Sequence, residues 1–168
     1  MLGLLGVLAA GCGGGSVQEP RSLPPVTTVP SPSASPSPSG VVTAAEIDAA
    51  ARAVFAALNE AMATTDPAPY VAVAVTQCPC VAPVTKGLRA ARAAGHTFTG
   101  KVTVLEVTPH DLGPTGGQAK VHWMQPASAE LDSAGGVVRK LPAVDYTQDL
   151  FLVRDNGTLK VFQIVGLG

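Results

Sequence analysis

The chain has 168 residues, 46% of them hydrophobic, and its 11 basic and 12 acidic side chains leave a net charge of −1. Arg139-Lys140 is its one adjacent basic pair, so it lacks the basic stripe that a nucleic-acid partner would need. The apolar fraction leans on Ala and Val, enough for one modest core in one domain.

From Leu2 to Ala10 every residue is apolar or Gly. This run is too short for the ~20 residues of a membrane-crossing helix and fits the apolar region of a secretory signal. The small residues Ala9, Ala10 and Gly11 stand immediately before Cys12. The arrangement resembles the lipobox of bacterial lipoproteins, although Leu8 stands one place further from Cys12 than the usual leucine. That resemblance implies a lipid on the Cys12 sulfur, a mature chain starting there, and anchorage in the bilayer on the extracytoplasmic side of the cell membrane. The competing reading is a buried or frayed apolar N-terminus that happens to contain a cysteine.

Residues 13–40 read GGGSVQEPRSLPPVTTVPSPSASPSPSG. Such a segment buries too little apolar surface to offset chain entropy, which predicts a disordered linker. Its Pro-rich half favours extended polyproline II at ~3.1 Å per residue, a spacer between anchor and domain. The predicted organisation is therefore a signal peptide over 1–11, a lipidated Cys and linker over 12–40, and one folded domain over 41–168.

Within the domain, Thr43-Ala-Ala-Glu46 is a capping-box pattern. Behind it Ile47, Ala51, Val54, Phe55, Leu58 and Met62 recur at spacings of three and four, predicting a helix to about Thr64. Asp66-Pro67 predicts the start of a short helix through about Val75. After Cys78-Pro-Cys80, Pro83 opens a third predicted helix carrying Val84, Leu88 and Ala91, with Gly95 at the place of a left-handed cap. From His96 the texture becomes β. Strands are predicted over Thr97–Thr108 and Gln118–Gln125, two short ones around Ser133–Gly136, and a hairpin of Ala143–Arg154 with Thr158–Val165 across Asp155-Asn-Gly157. Three helices followed by antiparallel strands imply an α+β fold, with the helices packed on one face of a curved sheet.

This order, with ATTDP (Ala63–Pro67) opening the second helix and QDLFLVRDNGTLKVFQI (Gln148–Ile164) closing the sheet, is similar to the nuclear-transport-factor-2-like (cystatin-like) superfamily. More narrowly, ALNEAMATTD, a close cysteine pair and GHTFTGKVTV look like secreted actinobacterial lipoproteins of no assigned function. The resemblance implies a cone-shaped domain around a pocket. It also implies that the outer sheet face meets a second copy or a partner protein.

For that pocket the candidate residues are Phe55, Trp123, Tyr146, His122 and Asp149. Alternation puts Tyr146 and Gln148 on one strand face and Asp145, Thr147 and Asp149 on the other, with Asp149 sharing a face with Phe151 and Val153. The leading reading is a non-catalytic module taking a small apolar ligand or a partner protein. The second is an isomerase- or dehydratase-type enzyme using Asp149 or His122. A third makes Cys78 and Cys80 a redox pair, against the plainer reading of a structural disulfide. His96, His110 and His122 are scattered with no metal-ligand spacing, so neither metal nor cofactor is expected.

Overall fold

The computed structural model describes residues 40–166. The apolar leader, Cys12 and the linker through residue 39 lie outside the described residues.

Helix α1 (Ala44–Thr64) starts on the predicted capping box: the Thr43 hydroxyl accepts from the Glu46 N–H (3.2 Å), and the Glu46 carboxylate accepts from the Thr43 N–H (2.8 Å). Ile47, Ala51, Val54, Phe55 and Ala61 are buried. Leu58 and Met62 of the predicted stripe are only half-buried, and Leu58 borders an open cavity rather than solid core.

Helix α2 (Ala68–Ala72) begins where Asp66 Oδ1 accepts the Ala68 N–H (2.9 Å). It stops short of the predicted Val75. The β-branched Val73 and Val75, stiff at χ1 and suited to extended chain, exchange backbone hydrogen bonds with Val161 instead (2.9 and 3.0 Å). Helix α3 (Val81–Ala93) opens two residues before Pro83, which sits in the first turn, where its missing N–H costs nothing. It ends in a Schellman motif, with Gly95 at φ +70°, His96 N–H on the Ala91 carbonyl (2.9 Å) and Gly95 N–H on Arg92 (3.1 Å).

The first predicted strand is two. Strand β1 (Thr97–Phe98) and strand β2 (Thr103–His110) are separated by a turn with Gly100 at φ +84°. The break is held by Asn59 of α1, whose amide donates to the Val102 carbonyl and accepts its N–H, both at 2.8 Å. There follow β3 (Gly116–Gln125), β4 (Ser128–Leu131), β5 (Val137–Leu141), β6 (Val144–Asp155) and β7 (Thr158–Gly166). Asn156 (φ +50°) and Gly157 (φ +82°) make the β6–β7 turn, as Asn-Gly predicts.

The strands form two antiparallel sheets rather than one: β2-β3-β6-β7, and a small β1-β4-β5. Pro126 and Pro142 flank the β4–β5 excursion. Having no N–H, they cannot carry the long ladder of β3 and β6 onward. Helix α1 packs on the larger sheet. Ala119, Val121, Leu150, Leu152 and Val161 face it, each 0–1% exposed, and with Ile47 they form the centre of the core.

Candidate functional site

Between the helices and the larger sheet lies a cavity of about 440 Å³. Helix α1 supplies Phe55 and Leu58, α2 supplies Tyr70, and α3 supplies Val84. The sheet supplies Trp123, Gln148, Gln163 and Ile164, while Val102, Pro79 and Cys80 close the rim. Tyr70 is 3% exposed, and burial pushes its phenol above the usual range, so it stays a neutral hydrogen-bonding group. Trp123 packs against Phe55 with ring centroids 6.0 Å apart and a tilt of 47°. Its buried indole N–H has no acceptor among the described residues. No carboxylate, histidine, lysine or arginine lines this cavity. What remains to meet a ligand is an apolar wall with three neutral polar side chains.

The five pocket residues expected from sequence divide between two faces. Phe55 and Trp123 line the cavity; Tyr146 stands edge-on to Trp123 (centroids 6.0 Å, 64°) at a more exposed position behind it. His122 and Asp149 are not in the cavity, which corrects the expectation that either could act there. In β6 the inward residues are Gln148, Leu150 and Leu152, opposite Val121, Ala119 and Gly117 beneath α1. Alternation then sends Asp145, Asp149 and Phe151 to the far side. Tyr70 escaped the sequence reading. Its signal was an aromatic residue inside an otherwise small-residue helix, APYVA.

On that outer face His122 and His110 pair with aspartates. His122 Nε2 meets Asp145 Oδ1 at 2.6 Å, and His110 lies between Asp149 Oδ1 (3.3 Å from Nε2) and Asp111 Oδ2 (3.0 Å from Nδ1). A cleft of about 180 Å³ runs between Glu106, Thr108, Lys120, His122 and Thr147. Among the described residues no group of His, Cys, Asp and Glu side chains is placed to hold a metal ion. His96 serves the frame: its Nδ1 bonds Glu130 Oε1 (2.9 Å), tying the end of α3 to β4. That hydrogen bond, with Arg139 beside it, holds the Glu130 carboxyl below the usual range. The sulfurs of Cys78 and Cys80 are in direct contact, with Cα atoms 5.2 Å apart; Cys78 is buried and Cys80 caps α3 on the cavity rim. No described helix is long and apolar enough to cross a membrane.

No protein-family model and no curated protein sequence matches the chain. Solved structures do. An uncharacterized protein with a cystatin-like fold from Caulobacter vibrioides is similar at a TM-score of 0.50 and 16% identity, over 74% of this chain and 89% of that one. The fold is cystatin-like. The intermembrane space region of chloroplast protein ARC6 matches at a TM-score of 0.54 and 12% identity, over 74% of this chain and 98% of that one. A candidate aromatic ring hydroxylase from Novosphingobium aromaticivorans matches at 0.54 and 10%, over 76% and 93%. At such identities the cystatin-like likeness concerns backbone architecture, and the chemistry must be argued from this chain's own side chains.

Proposed function

We propose that this is a lipid-anchored extracytoplasmic protein whose cystatin-like domain binds a small, uncharged, largely apolar molecule without transforming it. The observation that carries the binding role is the cavity lining: aromatic and aliphatic walls, with Tyr70, Gln148 and Gln163 as its polar groups. A charged ligand would leave water for that cavity with no counter-charge to meet it, at a cost of several kcal/mol or more. An acid–base reaction would lack a titratable group near neutrality. A neutral molecule with one or two carbonyl or hydroxyl oxygens loses little, because amide and phenol groups replace its water. The membrane address rests on the apolar run before Cys12 and the Pro/Ser segment after it.

Trp123 is the only tryptophan in the chain, so its emission reports directly on the cavity. Titration with neutral apolar compounds should shift that emission, and the same compounds should add mass in native but not denaturing spectra. Gln148→Leu should weaken compounds bearing a carbonyl and spare pure hydrocarbons. If charged analogues bind as well as neutral ones, or Gln148→Leu leaves every affinity unchanged, the reading fails.

A second copy of the chain is the partner we assign to the outer sheet face. Phe151, Val153, Phe162, Val165 and Met124 all sit on the helix-free side; Phe162, Val165 and Met124 are 42%, 36% and 40% exposed. Apolar side chains gathered on one face suit an interface better than open water. The Cys78–Cys80 contact we read as a structural disulfide that steadies the cavity rim at the start of α3.

A further inference from the structure

The small sheet ends in β5, and that edge is open. Among the described residues no backbone group of Val137–Leu141 bonds to any strand but β4. The strand carries Val137 and Val138 at 57% and 49% exposure, and Val138 is the extra residue of a bulge, since Leu131 pairs with Val137 and Glu130 with Arg139. A groove of about 670 Å³ crosses one face of this sheet, from Thr99 past Ala129 to Val137 and Lys140. An edge with unpaired N–H and C=O groups and apolar side chains is a template for one more strand, unless charge or proline blunts it.

Here the charge selects rather than blocks. Arg139 is neutralised by Glu130 (2.9 Å), which also binds His96. Lys140 has no acidic partner among the described residues, and because Ala129 and Leu131 of β4 pair with Lys140 and Val137, the latter two share a face. An added antiparallel strand with an acid opposite Lys140, and apolar residues further on against Val138 and Val137, would complement all three. A second copy of β5 would not. The sequence VVRKL contains no acid, so antiparallel self-pairing sets its cations against each other or against valines.

We propose that the β5 edge docks an extended acidic–apolar segment of another protein, added as a fourth strand to the small sheet. This stands apart from the cavity and from the outer face of the larger sheet. The test is amide-shift mapping of the isotope-labelled full chain titrated with the peptide acetyl-Thr-Glu-Thr-Val-Val-Thr-amide, and with its counterpart carrying Lys in place of Glu. The acidic peptide should move the amides of residues 137–141. It should bind about fivefold or more tightly than the basic one, as an ion pair opposed to a like-charge pair implies. Lys140→Glu, an exposed position that leaves the fold intact, should reverse the preference. Absence of shifts at β5, equal binding of the two peptides, or a preference unchanged by Lys140→Glu would overturn the proposal. So would β5 shifts that follow protein concentration without peptide, which would put a second copy on the edge.

Discussion

Leu150 and Phe151 are neighbours in β6 that belong to different surfaces, and truncating each in turn separates the folded core from the association face. Leu150 is 0% exposed and lies between Ala119 of β3 and Ile164 of β7, under α1. Leu150→Ala removes three buried carbons, about 2.4 kcal/mol at ~0.8 kcal/mol for each. A cavity term is added because the methyl of Ala119 is too short to swing into the gap. The expected cost is about 3–4 kcal/mol, inside the span of buried Leu-to-Ala changes, or roughly 10–15 °C in Tm for a domain of this size. Phe151 is half-buried on the helix-free side, so Phe151→Ala should cost only about 1 kcal/mol in the monomer. It should instead weaken self-association. Urea unfolding at high dilution measures the first quantity, and sedimentation across a concentration series measures the second. Equal losses of stability in the dilute monomer would refute the reasoning, because Phe151 would then be part of the core and the outer face would not be free for a second copy.

Gly116→Ala should destabilise by about 2 kcal/mol or more, since a Cβ there falls on the Leu152 carbonyl oxygen and against Val153 Cα in the neighbouring strand; thermal unfolding reads the loss. Two carboxyls set the acid limit. Hydrogen bonds from the Thr43 backbone and hydroxyl, then Arg154, hold Glu46 below its ordinary value near 4.5, and the His96 hydrogen bond, then Arg139, does the same for Glu130. A depressed folded pKa gives stability that is present above the unfolded value and lost as pH falls through the folded one. The urea midpoint should therefore fall below about pH 4.5, and less steeply in Glu130→Gln. For the cysteines, the chain from an oxidising compartment should weigh two hydrogens less than the dithiol form and take up alkylating reagent at Cys78 and Cys80 only after reduction. Uptake without reduction would refute the clip.

Much of the frame was legible because it is local chemistry. The Thr43–Glu46 box, Gly95 after α3 and Asn156-Gly157 between β6 and β7 are each fixed by one or two residues whose alternatives are sterically or electrostatically worse. What failed needed partners distant in sequence. Val73–Val75 read as helix until Val161 offered them a backbone ladder. Asn59 reads as a polar residue on a helix flank, yet it serves as a one-residue strand for Val102, 43 positions away. The largest error concerned β6. In Leu150-Phe-Leu-Val153 alternation separates two sets of apolar residues but cannot say which set faces the helices. Ala119 and Val121 beneath α1 decide that, and with it the exile of Asp149 and His122 from the cavity.

The parity of β6 therefore carries the functional argument. Its even-numbered residues give the cavity Gln148 and the core Leu150 and Leu152; its odd-numbered residues give the outer face Asp145, Asp149 and Phe151. Asp145, Asp149 and His122 stand on the side where water, or a second copy, can meet them, Arg154 turns to Glu46 at the start of α1, and the cavity lining keeps amides, a phenol and an indole. Catalysis by proton transfer would require the opposite distribution, with at least one carboxylate or imidazole inside and desolvated toward a working pKa. A one-residue slip of β6 would create that arrangement, but it would turn Leu150 and Leu152 into solvent and bring Asp149 against Ala119. The packing that makes the domain stable thus also keeps carboxylates and imidazoles out of the cavity lining, and the proposed binding role rests on that lining.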